Sequence, residues 1–143
     1  MRTANFETTI QWIIPVVIAL VFILLASLIK EPARQKIMAL MIAGAGAAYL
    51  SGGGFGLWEM AFCVVSSVLA YYGLRSYQFI GIGWMLHTAW DILHHLYGYP
   101  LLPFDLTSSL GCAICDPVIA IWCFAGAPSL WRSPFKSRLV RAG

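Results

Sequence analysis

The sequence predicts an all-α fold, an integral membrane bundle of five transmembrane helices in a single domain that covers residues 1–143. Three observations predict it. Of the 143 residues, 60% are hydrophobic and only 10% are charged, whereas soluble domains carry about 25% charged residues. Five apolar runs are separated by short polar connections. The basic residues fall in alternate connections, as the positive-inside rule expects.

The apolar runs place the five helices at about residues 10–29, 33–51, 57–74, 79–97 and 110–127. The first run is long enough to cross about 30 Å of hydrocarbon. Lys30, Glu31 and Pro32 follow it in place of a small-residue cleavage site, so we interpret it as a retained membrane anchor and not as a signal peptide. The short connections predict that neighbouring helices are antiparallel.

The distribution of positive charge predicts the orientation of the bundle. The first connection, the third connection and the C-terminal tail hold eight of the nine Lys and Arg residues. When helices alternate in direction, these three segments share one side, which we assign to the cytoplasm, with the N-terminus outside. The basic residues form no common face, which argues against nucleic-acid binding. The eight residues are Lys30, Arg34, Lys36, Arg75, Arg132, Lys136, Arg138 and Arg141.

The fourth predicted helix carries the string HTAWDILHH at residues 87–95. With His87 at zero and 100° per residue, Asp91 falls at about 40°, His94 at about −20° and His95 at about 80°. Four groups that can bind metal therefore share one face of this helix. An ionised carboxylate at the centre of a transmembrane helix costs about 2.5–3.5 kcal/mol, so a metal ion, a proton or an imidazole should offset the charge of Asp91.

Two further carboxylates lie at a similar depth in the predicted bundle, Glu59 at the start of the third helix and Asp116 near the start of the fifth. Imidazole and carboxylate together suit iron, zinc or manganese, and groups spaced i, i+3 and i, i+4 on one helix converge on one ion. The sequence therefore predicts a divalent metal ion, iron or zinc. The predicted metal ligands are His87, Asp91, His94 and His95, and Glu59, Asp91 and Asp116 are the predicted catalytic carboxylates, as general acid or base or as further ligands.

Other interpretations of these residues stay open. The polar groups can be a hydrogen-bonded cluster that joins helices, or a proton relay or substrate-binding cluster without metal, and His87 can be an axial ligand of a tetrapyrrole. Cys112 and Cys115 form a Cys-x-x-Cys motif at the start of the fifth helix, where the helix dipole favours a thiolate. These cysteines can be a redox couple, zinc ligands beside the histidines, or two small packed residues.

Three strings together resemble a family of small multi-pass bacterial integral membrane proteins of unknown function: GGFGLWE at 53–59, HTAWDILHHLYG at 87–98 and GCAICDP at 111–117. The resemblance implies a compact helical protein of the bacterial inner membrane, and it brings no established activity. The histidine pattern is also weakly similar to the histidine boxes of membrane fatty-acid desaturases and hydroxylases, with Asp91 where such a box has histidine. Cys112 and Cys115 are distantly similar to the motif of quinone-linked disulfide-forming enzymes.

The leading functional hypothesis is a membrane-embedded, metal-dependent enzyme that acts on a lipid or isoprenoid-like substrate from the bilayer. One alternative is a membrane thiol–disulfide oxidoreductase that uses Cys112 and Cys115. Another is a non-enzymatic subunit or transporter that binds an ion, a proton or a pigment at the same cluster. The small-residue face of Gly44, Gly46, Ala47 and Ala48 suits close helix approach, within the bundle or in a homo-oligomer.

Overall fold

A computed structural model describes residues 2–102 and 104–131, with side chains from residue 9 onward. Within these ranges the chain forms five α-helices and no strand, which confirms the predicted all-α class. The basic residues of the tail, Arg132, Lys136, Arg138 and Arg141, lie outside the described residues. The helices are α1 (Arg2–Ala26), α2 (Ala33–Ala48), α3 (Leu57–Gly73), α4 (Tyr77–Tyr97) and α5 (Ser108–Phe124), and a 3₁₀ turn (Tyr49–Ser51) continues α2.

Local side chains explain the helix ends that differ from the predicted ones. Ser76 precedes α4, and its hydroxyl oxygen accepts the backbone N–H of Gln78 at 3.3 Å, which is typical of an N-cap. The helix therefore begins at Tyr77, slightly before the predicted start. α5 ends at Phe124 because Gly126 follows with a φ of 82°, a left-handed conformation that commonly ends helices.

Glycine residues allow close approach between the helices. α4 packs against α5, α3 and α2, whereas α1 packs chiefly against α5. A Cβ atom added to Gly46 of α2 would lie 2.4 Å from the Cβ of Ser66 on α3, and one added to Gly83 of α4 would lie 2.7 Å from Cγ2 of Ile42. Any larger residue would push these helices apart. At Gly46, the small-residue face predicted on α2 therefore serves contact within the bundle.

Apolar side chains cover much of the outside of the bundle, and its interior is partly polar. Leu25 is 60% exposed, Leu40 is 68% exposed and Leu57 is 82% exposed. The buried polar side chains include Glu59, Ser66, His87, Thr88, Asp91, His94, Ser108, Ser109 and Asp116. These polar side chains lie beside an apolar core that includes Ile42, Ile80 and Cys123, and buried ionisable groups together with so many exposed apolar side chains are unusual in soluble domains.

One helix among the described residues is long and apolar enough to cross a membrane. It contains the span Thr9–Ala26, which has a mean hydropathy of 2.6. Two shorter helices are also apolar, Leu57–Gly73 and Ser108–Phe124. By length and composition alone, the structure therefore supports one membrane span among the five predicted.

Candidate metal centre and a neighbouring buried pair

A group of three buried residues joins α4 to α5. His87 and Asp91 lie one turn apart on α4, and Asp116 lies on α5. His87 Nδ1 is 2.9 Å from Asp91 Oδ2 and 2.7 Å from Asp116 Oδ2. Each residue offers one ligand atom, and the three atoms lie within 4.8 Å of one another. We refer to these three residues as the His87 cluster.

The His87 cluster places two carboxylates against a single imidazole nitrogen. Asp91 is 0% exposed and Asp116 is 3% exposed, so water does little to stabilise their charges. A ring nitrogen carries at most one hydrogen; His87 Nδ1 is hydrogen-bonded to Asp116 Oδ2, and Asp91 Oδ2 is buried without a hydrogen-bond partner among the described residues. With both carboxylates ionised, the cluster keeps a net negative charge even when the imidazole is protonated. Such a buried charge needs a further cation or proton to compensate it.

Tyr49 and Ser109 hold the second oxygen of Asp91. The Tyr49 hydroxyl donates a hydrogen bond to Asp91 Oδ1, and it also lies 3.1 Å from Ser109 Oγ. Because tyrosine has one hydroxyl proton and gives it to Asp91, the Ser109 hydroxyl must donate in the second bond. Ser109 Oγ in turn accepts the backbone N–H of Leu101 at 3.2 Å. These bonds orient Asp91 so that Oδ2 faces His87.

Three aromatic side chains also lie around the His87 ring. The ring centroids of Tyr49, Phe62 and Trp84 lie 6.0, 6.0 and 6.1 Å from that of His87. Within the described part of the chain, His87 Nε2 and Trp84 Nε1 are buried without a hydrogen-bond partner. The ring is therefore positioned by packing and by its Nδ1 contacts.

A second buried pair joins the first turn of α3 to the last turn of α4. Glu59 Oε1 lies 2.8 Å from His94 Nε2 and accepts the backbone N–H of Phe55 at 3.1 Å. Glu59 Oε2 accepts the indole N–H of Trp90 at 3.2 Å. His94 Nδ1 lies 3.0 Å from the backbone carbonyl oxygen of Trp90. Both ring nitrogens of His94 thus lie within hydrogen-bond distance of an oxygen atom.

Aromatic rings and a glycine enclose the Glu59–His94 pair. The Tyr49 ring lies over the His94 ring with centroids 3.9 Å apart, and Phe55 meets it edge-on at 4.5 Å. A Cβ atom added to Gly53 would lie 2.3 Å from Glu59 Oε1 and 2.6 Å from His94 Nε2. The backbone of the glycine-rich segment can approach the pair only because Gly53 has no side chain.

The structure divides the predicted ligand set. His87, Asp91 and Asp116 come together, whereas His94 and Glu59 pair with each other. His95 is exposed to the outside of the bundle and joins neither group. Of the four predicted metal ligands, two therefore lie in the His87 cluster.

The two motif cysteines lie near the cluster on α5 and take no part in it. Cys112 and Cys115 are free and half-buried. The described residues contain one group that could hold a metal, and no sulfur belongs to it. The structure therefore gives the cysteines no role as ligands at this position.

Tyr49 and Ser109 are absent from the predicted site. A signal that points to Tyr49 is its position near the end of the second predicted helix, directly after a run of small residues. Ser109 gives no comparable signal, because a serine before a helix is usually a cap.

Residues 10–129 match the model of DUF6010, a protein family of unknown function. The predicted resemblance to a family of unknown function is thereby confirmed. No curated protein and no solved structure gives a significant match.

Proposed function

The chain belongs to DUF6010, a family of unknown function. From the site itself, we propose that the protein is a membrane-embedded, metal-dependent enzyme. The metal would be held by His87, Asp91 and Asp116, and the substrate would be a lipid or isoprenoid-like molecule. The observation that carries the proposal is the convergence of two buried carboxylates on one imidazole nitrogen.

Placement in a membrane is supported by the exposed apolar side chains and by the buried ionisable groups. Exposure of leucines such as Leu25, Leu40 and Leu57 to water is unfavourable, and in a membrane these side chains would contact lipid. Buried ionisable groups such as Glu59 and Asp91 are typical of the interior of membrane bundles, where they mark functional sites. We propose that all five helices cross the bacterial inner membrane, with the N-terminus outside and the C-terminus in the cytoplasm, and that the His87 cluster lies in the outer half.

A divalent cation is the compensating charge that fits the His87 cluster best. Two ligand atoms at right angles and about 2.1 Å from an ion are about 3.0 Å apart. The distances of 2.9 and 2.7 Å from His87 Nδ1 to the two carboxylate oxygens need to widen by only a few tenths of an ångström. Oxygen and imidazole ligands without thiolate favour iron over zinc.

The three ligands leave coordination positions for water or substrate, as catalytic metal sites require. A metal there would act as a Lewis acid or activate a bound water. Tyr49 would orient Asp91 as a supporting group, since partners of this kind tune metal ligands. Phe62 and Trp84 would give the site an apolar wall, which suits a hydrophobic substrate. Glu59 and His94 would hold α3 against α4.

Metal analysis of the purified full-length protein in detergent micelles tests the proposal. We expect His87→Ala and Asp116→Asn to reduce bound metal at least about 10-fold, while the helices remain folded by circular dichroism. His95→Ala is the matched control, because His95 lies on the same helix but outside the cluster. Equal metal content in all of these variants, or no metal in the wild type, would refute the metal centre.

A second candidate function is a buried proton-binding site, and one observation favours it. The hydrogen bonds from Ser109 through Tyr49 to Asp91 form a connected path on which a proton can be held or moved. A metal-free wild-type protein that moves protons across vesicles, and loses this flux in Asp116→Asn, would support the proton site in place of the metal.

A further inference from the structure

A cavity of about 150 Å³, lined by both apolar and charged side chains, lies at the end of the bundle where α1 and α5 end and α2 begins. It is bounded by the segment after α1, the first turn of α2 and the segment after α5. Arg34, which lines it, is linked through Tyr77 to the start of α4, and ten residues of helix, about 15 Å, separate Tyr77 from His87. The polar and charged residues that line the cavity are Ser27, Lys30, Glu31, Arg34 and Ser129.

Arg34 has one side-chain nitrogen without an acceptor. The residue is only 5% exposed, and its Nε and Nη2 atoms donate to Glu31 Oε1 at 2.8 and 2.6 Å. Its guanidinium carbon lies 5.9 Å from the centroid of the Trp122 ring, within cation–π distance. Nη1 is buried and has no partner among the described residues. A buried donor of this kind is costly unless an acceptor binds it.

Among the described residues that line the cavity, the charges leave an excess of one positive charge. Glu31 Oε1 accepts hydrogen bonds from Arg34 and also from the Tyr77 hydroxyl at 2.7 Å, so the charge of Glu31 is matched by that of Arg34. Lys30 is exposed at the rim, and its charge is the excess. The Ser27 hydroxyl is already used, since it donates to the carbonyl of Ile23 at 2.7 Å. Among the described residues that line the cavity, Arg34 and Lys30 are therefore the two cationic side chains that could meet an anion.

We propose that this cavity binds a phosphate group, with Arg34 Nη1 and the Lys30 ammonium as its donors, and that the group is the headgroup of an anionic membrane lipid. Leu28 and Trp131 line the cavity beside these donors and are 59% and 61% exposed. Acyl chains could extend from there along the exposed apolar face of α1. In the proposed topology this end faces the cytoplasm, where basic pockets between helices bind anionic headgroups.

Lipid binding is measured by native mass spectrometry and by thermal unfolding of the full-length protein in dodecyl maltoside. Dioleoylphosphatidylglycerol should bind and raise the Tm, and dioleoylphosphatidylcholine should do so much less. Lys30→Gln should weaken phosphatidylglycerol binding about 5-fold. Lys36→Gln makes the same charge change near the start of α2, outside the cavity lining, and should leave binding unchanged. Arg34→Lys keeps the charge and, when folded, should also weaken binding, because it lacks Nη1.

Addition of inorganic phosphate distinguishes a soluble phosphate from a lipid headgroup as the anion that the cavity binds. If inorganic phosphate alone raises the Tm and Lys30→Gln abolishes the effect, the cavity takes a soluble phosphate and the lipid assignment is wrong. If Lys30→Gln and Lys36→Gln reduce phosphatidylglycerol binding equally, the binding is unspecific and the site itself is refuted. His87→Ala should bind phosphatidylglycerol like the wild type, so failure of the metal centre and failure of this site are separable.

Discussion

His94 Nε2 lies 2.8 Å from Glu59 Oε1, and this contact ties the end of α4 to the start of α3. Glu59 is 4% exposed and His94 is 1% exposed, so neither can exchange its partner for water. The backbone N–H of Phe55 and the indole N–H of Trp90 also donate to Glu59. Both carboxylate oxygens of Glu59 and both ring nitrogens of His94 thus have protein partners, which argues for a structural role.

Breaking the Glu59–His94 pair should destabilise the bundle strongly. We expect Glu59→Gln to lower the free energy of unfolding by about 3–5 kcal/mol, because it leaves a buried imidazole without its charged partner. The measurement is unfolding by denaturing detergent in mixed micelles. Asp105→Asn, at an exposed carboxylate, is the control and should change stability little. Equal effects of the two substitutions would contradict the structural role of the pair.

A side chain at position 53 should disturb the same pair. Gly53→Ala places a Cβ atom 2.3 Å from Glu59 Oε1, and overpacking of this kind costs about 1–3 kcal/mol. Gly44→Ala is the matched control, because a Cβ atom there meets nothing within 4 Å and alanine favours a helix. The two variants should shift the unfolding midpoint in opposite directions, and a Gly53→Ala variant as stable as the wild type would show that the segment moves freely.

The fold could be predicted closely because each helix follows from local properties of the chain. The predicted second helix, 33–51, coincides with α2 and the 3₁₀ turn together. The predicted fifth helix, 110–127, is displaced by two or three residues relative to Ser108–Phe124, and at the C-terminal end the left-handed Gly126 accounts for the difference. Hydropathy indicates which residues avoid water, and caps decide where a helix begins and ends.

The site could be predicted only in part, because a helical wheel gives direction and not depth. His94 lies seven residues beyond His87, about 10.5 Å along the axis, which is too far for one ion with bonds of about 2 Å. The wheel placed His95 at the edge of the face, and the packing of α3 and α5 around α4 leaves it outside. Tyr49 enters the site through a tertiary contact 42 positions away from Asp91, which one sequence does not reveal.

Tyr49→Phe should weaken the proposed metal centre while it preserves the ring that covers His94. The substitution removes the hydrogen bond to Asp91 Oδ1, and loss of such a supporting group lowers metal affinity about 10- to 100-fold. Competition with a chelator of known affinity gives the measurement. Tyr97→Phe, at a side chain that is 76% exposed, should bind metal like the wild type. Unchanged affinity in Tyr49→Phe would show that Tyr49 does not orient the ligand.

Substitution of Cys112 and Cys115 distinguishes a metal site without sulfur ligands, as proposed here, from a zinc site with thiolate ligands. A variant with Cys112→Ser and Cys115→Ser should keep the metal content of the wild type, because no sulfur belongs to the His87 cluster. Elemental analysis of this variant beside Asp116→Asn makes the comparison. Metal that is lost with the two thiols and kept in Asp116→Asn would favour thiolate ligation of zinc. Alkylation of both thiols only after reduction would instead favour the redox alternative.

Acid should remove the stabilising contribution of Glu31 in the connection between α1 and α2. Burial raises the pKa of this carboxyl, but hydrogen bonds from Tyr77 and Arg34 and the charge of Arg34 lower it more, so the pKa lies below its ordinary value of 4.5. The contribution is therefore complete above about pH 4.5 and is lost as the pH falls through the lowered value. The Glu31 side chain is 39% exposed, so solvent screening keeps the effect modest.

Thermal unfolding of the wild type and of Glu31→Gln between pH 7 and pH 3 tests this expectation. The wild type should have the higher Tm near neutral pH, and the difference should shrink below about pH 4.5, because protonated Glu31 resembles glutamine. Other carboxyl groups titrate in both proteins, so their effects cancel in the difference. A difference in Tm that stays constant down to pH 3 would show that the charge of Glu31 adds nothing to the hydrogen bonds that Arg34 and Tyr77 make with it.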